Sequence, residues 1–286
     1  MNPQNVNKKK NIIFSAVIGV VVIIVGASAL KGMGRVSTDD AFIEGRIHQI
    51  APKIPGTVLA VPIEDNSQVK KGDLLVEIDP VDYQLRVNEA KAALDMSKAA
   101  YEQAGRDRDR AESLYKEEVY PKQRYENAQT AYDLAKAQYD TAEAQLNIAQ
   151  RNLEYARIYA PSDGHVAKKS VETGNQVLPG QALMAVVSND MWVVANFKET
   201  QLKNVRPGQE VRIKVDTYPG KVFNGHVDSI QRGTGSKFSL FPPENAAGNY
   251  VKVVQRIPVK IVFDGNPAER YNLSVGMSVV PEISVR

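Results

Sequence analysis

Histidine, which often serves as a general base or a metal ligand, is rare in this chain, and its three copies do not cluster. The three histidines, His48, His165 and His226, lie far apart on predicted strands or strand ends. We therefore expect structural or surface roles for them, rather than a metal site or a general base. The stretch Gly233-Thr234-Gly235-Ser236-Lys237 resembles a phosphate loop but lacks its Gly-Lys-Ser/Thr ending and its strand-to-helix setting. We interpret it as a plain loop.

The composition excludes several further classes of function. No cysteine is present, which removes disulfides, zinc-thiolate sites and thiol nucleophiles. The net charge of +3 is small, and the basic residues are spread along the chain without interleaved aromatic residues, so we expect no nucleic-acid partner. We predict no catalytic, cofactor-binding or metal-binding residues, and a protein that is not an enzyme.

Residues 12–30 form an uncharged apolar run close to the length of about 20 residues that crosses a bilayer as a helix. The preceding Lys8-Lys9-Lys10 favours a cytoplasmic N-terminus, so the bulk of the chain is expected outside the cytoplasm. Ala27-Ser28-Ala29 has the small-x-small form of a cleavage site, and a cleaved signal peptide is the alternative. We favour a single-pass anchor because the run is longer than a typical signal core.

A strand-rich segment occurs twice, and a long helical stretch separates the copies. The first copy contains Ala51-Pro52, Gly56-Thr57-Val58, Val69, Gly72 and Leu75. The second copy contains, in the same register from its glycine onward, Ala160-Pro161, Gly164-His165-Val166, Val177, Gly180 and Leu183. Short β units that cannot bury a face alone are expected to pack on one another. The helices between them should then leave and return at one place.

Two nearly equal helical arms are predicted between the copies. Asp79-Pro80 begins the first arm, since Asp can cap free amides and Pro is tolerated at the first helical position. Tyr120-Pro121 interrupts the helical pattern because proline disfavours a helical residue before it, and the second arm runs to about Arg157. Equal arms joined by a short turn predict an antiparallel hairpin.

The second arm carries apolar residues at alternating steps of three and four, a spacing typical of a two-stranded coiled coil. This seam contains Tyr125, Ala128, Tyr132, Ala135, Tyr139, Ala142, Leu146, Ala149, Leu153 and Ala156. The first arm has a similar stripe, broken only by Ser97 and Arg108. The alternative is a stripe packed on a globular core, but the other faces are too polar to be enclosed. We expect the hairpin to project into solvent.

After the second copy the pattern changes to alternating strands separated by turn residues. Strands are predicted over residues 192–197, 210–215, 221–230, 251–263 and 278–285. Residues 37–47 are expected to add one more strand, and residues 233–249 to form a long loop. The predicted fold class is mixed and mainly β: a membrane helix, a split lipoyl-like sandwich, a long helical hairpin and an antiparallel barrel.

The split repeat resembles the two halves of a lipoyl or biotinyl carrier domain. In such carriers a hairpin between the halves presents a modified lysine between characteristic neighbours. Here Asp79-Pro80 and the helices occupy that position, and neither Met-Lys-Met nor Asp-Lys-Ala is present. A carrier function is therefore disfavoured.

A lipoyl-like domain opened by a helical hairpin, preceded by a membrane span and followed by a barrel, resembles the periplasmic adaptor or membrane fusion protein family. Three blocks are similar to its HlyD/EmrA-like branch: residues 37–42, residues 195–201, and residues 241–245 with 253–259. The resemblance implies an adaptor of a multidrug or small-molecule efflux pump that uses no cofactor. It also implies a homo-oligomer that links an inner-membrane transporter, which we expect to be proton-driven, to an outer-membrane channel.

The hairpin tip of this family often carries Arg, then Leu four residues on, then Ser seven residues further. Arg110 and Leu114 match the first two positions, and Pro121 stands where the serine would be. The resemblance implies a tip that docks on the exit channel through these residues. Arginine and leucine at this spacing also occur on ordinary helices, so the sequence leaves that alternative open.

The expected domain layout follows from these elements. It consists of a cytoplasmic tail (1–11), the anchor (12–30), a strand joining the barrel (31–47), the first lipoyl-like half (48–79), the hairpin (80–157), the second half (158–189) and the barrel with C-terminal strands (190–286). The alternatives for function are a type I secretion adaptor, a structural envelope spacer and a lipoyl or biotinyl carrier subunit.

Overall fold

A computed structural model of the chain describes residues 34–235 and 253–285. The predicted tail and anchor, and most of the predicted loop 233–249, lie outside the described residues. In the described part, no helix combines the length and hydropathy needed to cross a membrane. The chain divides into two compact units: one is Ile47–Ser188, and the other combines the chain up to Arg46 with Asn189–Arg286.

Thirteen strands and two long helices make up most of the described residues. The helices are α1 (Val81–Lys116) and α2 (Lys122–Glu154). The strands are β1 (Arg35–Ser37), β2 (Ala41–Ile50), β3 (Gly56–Ala60), β4 (Gln68–Val69), β5 (Leu74–Ile78), β6 (Arg157–Tyr159), β7 (Gly164–Ala167), β8 (Gln176–Val177), β9 (Met184–Lys198), β10 (Glu210–Val215), β11 (Val222–Ile230), β12 (Arg256–Phe263) and β13 (Val279–Ser284).

The two copies of the repeat pack on each other in unit Ile47–Ser188, as their register predicts. Strand β3 of the first copy pairs with β8 of the second, and β4 pairs with β7. The hydrogen bonds are reciprocal: the Val58 N–H donates to Asn175 O at 2.9 Å, and the equivalent Val166 N–H donates to Ser67 O at 2.9 Å. Among the described strands, the two-residue strands β4 and β8 each pair only with a strand of the other copy, so neither copy forms its sheet alone.

The core of this sandwich contains side chains from both copies. A Cβ at Gly164 would lie 2.1 Å from the Val187 carbonyl oxygen, so only glycine permits β7 to approach β9 this closely. The fully buried aliphatic side chains include Val58, Val69, Leu75, Val76, Ile78, Val166, Val177, Leu183 and Val186.

The second unit is the expected antiparallel barrel. Its strand order is β1-β13-β10-β11-β12-β9, and β2 pairs with β9. Strand β2 also reaches the segment before β13, because the Ile43 N–H donates to Met277 O at 2.9 Å and the Gly276 N–H donates to Ile43 O at 2.8 Å. Strand β2 therefore closes the sheet. The enclosed side chains include Ile43, Val193, Phe197, Ile213, Val259, Ile261 and Ile283.

The single strand expected over residues 37–47 is wrong in one respect. The strand is broken at Thr38, Asp39 and Asp40, between β1 and β2. The side chains of Thr38 and Asp40 bond to Asn196, a residue far along the chain, and these bonds replace a regular strand ladder at the break. The sequence of residues 37–47 alone does not contain that information.

Candidate functional site

The sandwich fixes both ends of the hairpin at one place. The carboxylate of Asp79 accepts a hydrogen bond from the Val81 N–H at 3.0 Å at the start of α1. The Ile78 N–H, just before α1, donates to Ala156 O just after α2 at 2.7 Å. Tyr83 is buried, and its hydroxyl donates to Pro55 O at 2.6 Å. The two arms therefore start from a rigid base.

The arms, of 36 and 33 residues, contact each other along their length. At 1.5 Å per residue each is about 50 Å long. The structure buries Ala135 and Ala142, places the ring of Tyr139 5.6 Å from that of Tyr101, and half-buries Leu146. The role of these side chains as a coiled-coil seam stays a prediction.

Tyr132 lies at the centre of a polar layer between the arms. Its hydroxyl is 2.7 Å from the Tyr101 hydroxyl, and the ring centroids are 5.1 Å apart. The Arg108 guanidinium lies 4.0 Å from the centroid of the Tyr132 ring. Arg108, which interrupts the apolar stripe of the first arm, therefore places its charge over an aromatic face. The hydrogen bond to Tyr132 and burial raise the pKa of Tyr101 above its ordinary value.

The predicted docking residues lie close to the turn between the arms. Arg110 is exposed on α1 and pairs with Asp107 at 3.6 Å. Leu114 is half-buried one turn later, and its carbonyl accepts hydrogen bonds from within the turn. Pro121 is exposed and directly precedes α2, with φ −66°. The structure thus places Arg110 and Leu114 on one helical face and Pro121 on the far side of the turn.

Two tip residues that the sequence did not single out define the shape of the turn. The Val119 N–H donates to Leu114 O at 2.9 Å, and the Glu118 N–H donates to Tyr115 O at 3.0 Å. This is the Schellman pattern that ends a helix, which usually has glycine at its left-handed position. Here Glu118 takes that position, with φ +59°. Val119 follows it and is 63% exposed.

The charges at the tip leave two acids without a partner. Lys116 pairs with Glu112 at 2.6 Å and Lys122 with Glu126 at 2.9 Å. Among the described residues, neither Glu117 nor Glu118 forms an ion pair. The apex therefore presents an exposed apolar side chain beside two carboxylates. The sequence did not predict this turn, because the segment after α1 lacks the glycine or asparagine that usually marks a left-handed helix end.

The histidines do not meet in the structure. His165 lies on β7, His48 on β2, and His226 on β11 with its Nδ1 2.8 Å from the Asp264 Oδ1. The described residues contain no group of three or more His, Cys, Asp and Glu side chains that could hold a metal ion. The hairpin and its tip remain the candidate functional site.

Comparison with known families assigns both units. Residues 46–189 match the model described as RND MFP, barrel-sandwich hybrid domain, and residues 190–283 match the AAEA-like beta-barrel domain. The chain is 32% identical to the probable multidrug resistance protein EmrK of Escherichia coli strain K12, over 100% of this chain and 87% of EmrK. This chain belongs to the membrane fusion protein family.

A second relative and a solved structure agree with this membership. The multidrug export protein EmrA of the same strain is 35% identical over 86% of this chain and 76% of its own length. The structure of the membrane fusion protein Spr0693 of Streptococcus pneumoniae R6 superposes with a TM-score of 0.65 over 88% of this chain and 99% of Spr0693. At 19% identity that superposition shows the fold alone. As a membrane fusion protein, the chain is a non-enzymatic adaptor.

Proposed function

We propose that this membrane fusion protein is the periplasmic adaptor of a multidrug or small-molecule efflux pump, and that it links an inner-membrane transporter to an outer-membrane channel. The observation that carries the proposal is the similarity to EmrK along the whole chain. The relatives EmrK and EmrA are named for multidrug resistance and multidrug export. The length of the hairpin supports a role in bridging the transporter and the channel, because each arm is about 50 Å long and both arms start from hydrogen-bonded positions on the sandwich.

The finer parts of the proposal come from the sequence. Residues 12–30 anchor the chain in the inner membrane as a single span, with a cytoplasmic N-terminus and a periplasmic bulk. The adaptor assembles as a homo-oligomer around a proton-driven transporter. Energy coupling belongs to that transporter, since this chain carries no nucleotide-binding motif. We propose the same domain boundaries as the sequence predicts: the two lipoyl-like halves at 48–79 and 158–189, the hairpin at 80–157 and the barrel at 190–286.

We propose that the tip docks on the channel. On one face of α1 near the turn, Arg110 is exposed and Leu114 is half-buried, and Val119 is exposed in the turn itself. Apolar side chains that are exposed in a defined conformation lose little conformational entropy on binding, which favours their use as contacts.

The test is an efflux assay combined with purification from membranes. Cells that lack the gene should accumulate a pump substrate, and the full-length chain should restore efflux. A tagged chain solubilised in mild detergent should retain an integral-membrane transporter. A chain that restores no efflux and retains no membrane protein would contradict the adaptor function and favour an envelope spacer.

A further inference from the structure

Three sequence blocks that are far apart along the chain meet in one hydrogen-bonded cluster on the barrel. Residues 37–42, 195–201 and 253–259 each contribute to it. The Asp40 Oδ2 accepts a hydrogen bond from the Arg256 Nη1 at 2.6 Å, and its Oδ1 accepts one from the Asn196 Nδ2 at 3.2 Å. We call the set the closure cluster, and its members are Thr38, Asp40, Asn196, Gln201 and Arg256.

Backbone groups of the closure cluster are fixed as tightly as its side chains. The Asn196 N–H donates to Asp40 O at 2.8 Å, and the Thr38 hydroxyl donates to Asn196 O at 3.0 Å. Thr38 is buried, and its Oγ1 also accepts the Asp40 N–H at 3.2 Å. The Gln201 Nε2 donates to Ser37 O at 3.1 Å. Each residue from 37 to 40 except Asp39 is thus bonded to a distant part of the barrel.

The position of the cluster in the chain gives it a mechanical role. Strand β1 pairs with β13, whereas β2 pairs with β9, and residues 38–40 connect them. Only residues 31–37 separate the predicted anchor from Thr38, which is at most roughly 25 Å of extended chain. A force or rotation that the N-terminal segment transmits to the barrel therefore enters at β1, which pairs with β13, and at residues 38–40, which the closure cluster bonds to β9 and β12.

We propose that Asp40 and Arg256 are a positioning pair that fixes residues 37–40 to the barrel, and that export requires this fixed attachment. The requirement for export rests on the proposed adaptor function, because a barrel that docks on a transporter must be held at a defined orientation to its anchor. The attachment itself does not depend on any partner. The pair lies at the surface, with the Arg256 side chain 45% and the Asp40 side chain 41% exposed, so the barrel can fold without it.

The chain offers a matched control on the same strand. Lys260 of β12 pairs with Asp228 at 3.8 Å, with side chains 43% and 44% exposed. Asp228→Asn and Asp40→Asn each remove one carboxylate charge from a half-exposed pair. Only Asp40 lies in the segment between β1 and β2.

The experiment measures the mobility of that segment in the full-length chain. Because the chain has no cysteine, a nitroxide on Asp39→Cys reports on this segment alone. The spectrum should be immobilised in the otherwise unchanged chain and in Asp228→Asn, and should show greater mobility in Asp40→Asn and in Arg256→Gln, although the other bonds of the closure cluster remain. The exchanged pair, Asp40→Arg with Arg256→Asp, should restore immobilisation, and thermal midpoints should stay unchanged. In cells, export should fall below that of Asp228→Asn for both single variants and recover in the exchanged pair.

Three results would overturn the proposal. Equal label mobility in Asp40→Asn and Asp228→Asn would show that the pair does not fix the segment. A mobile label with undiminished export would show that export does not need the attachment, and an exchanged pair that restores neither readout would show that charge pairing is not the cause. If the unchanged chain supports no export, the adaptor function fails, and the label still decides the attachment.

Discussion

Tyr101 and Tyr132, one on each arm of the hairpin, lie with their hydroxyl oxygens 2.7 Å apart. The hydrogen bond raises the pKa of Tyr101 above its ordinary value of 10.0. The folded hairpin therefore holds this proton more tightly than the unfolded chain does. The bond links α1 and α2 at one register, and Arg108 covers the Tyr132 ring beside it.

This relationship predicts a pH dependence of hairpin stability. A pKa that is raised in the folded state contributes stability that is complete below the unfolded value and is lost as the pH rises through the folded value. The thermal midpoint of the helical circular dichroism signal should therefore fall as the pH rises above about 10, and less steeply in Tyr101→Phe. Tyr159→Phe, at a position 49% exposed, is the control and should leave the slope unchanged. Equal slopes in Tyr101→Phe and the unchanged chain would contradict the prediction.

The seam can be tested by overpacking. Ala135 and Ala142 are 8% and 7% exposed, so a tryptophan at either position should force the arms apart at a cost of about 1–3 kcal/mol. Lys136→Trp, on an exposed face of the same helix, should be nearly silent. Urea unfolding followed by circular dichroism measures the difference. Similar losses at all three positions would mean that the seam is assigned to the wrong face.

The left-handed backbone of Glu118 in the turn indicates that glycine at this position should stabilise the hairpin. Glu118 has φ +59°, a conformation that costs a side-chain-bearing residue about 1–2 kcal/mol and glycine almost nothing. Because glycine also loses more backbone entropy on folding, Glu118→Gly should stabilise the hairpin by a net of about 0.5–1 kcal/mol. The control is Glu117→Gly, where φ is −84° and no strain is relieved. A loss of stability in Glu118→Gly would show that the turn has another conformation in solution.

A structural feature could be predicted from the sequence when the residues that determine it lie close together in the chain or in the repeated segment. The packing of the two copies on each other was predicted from their shared register, and the structure gives equivalent pairings in the two copies, Gly56 with Val177 and Val69 with Gly164. The left-handed Glu118 was missed because glycine is the usual signal for that position. The break at Thr38 and Asp40 was missed because their partner Asn196 lies on another strand, and no local pattern encodes that contact.

The docking assignment predicts a loss of export without a loss of folding. Arg110→Asp with Leu114→Ser changes exposed or half-buried tip residues, so expression, membrane attachment and helicity should be retained. At a packed contact, a reversed charge costs about 2–5 kcal/mol in binding, which is enough to release a partner. Substrate accumulation in a deletion strain measures export.

The control for this pair of changes is Lys136→Asp, which reverses an exposed charge on the arm. It should export at the level of the unchanged chain. Full export from the Arg110→Asp, Leu114→Ser variant would contradict docking through these residues, although the adaptor function would stand.

The central claim, that the hairpin tip reaches an outer-membrane channel, is tested most directly by cross-linking in intact cells. Val119→Cys and Leu134→Cys place single thiols at positions 63% and 62% exposed, one at the apex and one on the arm. With a short photoactivated cross-linker, Val119→Cys should capture an outer-membrane protein, and Leu134→Cys should not. Equal capture at both positions, or no outer-membrane protein from Val119→Cys in cells that export normally, would contradict the account.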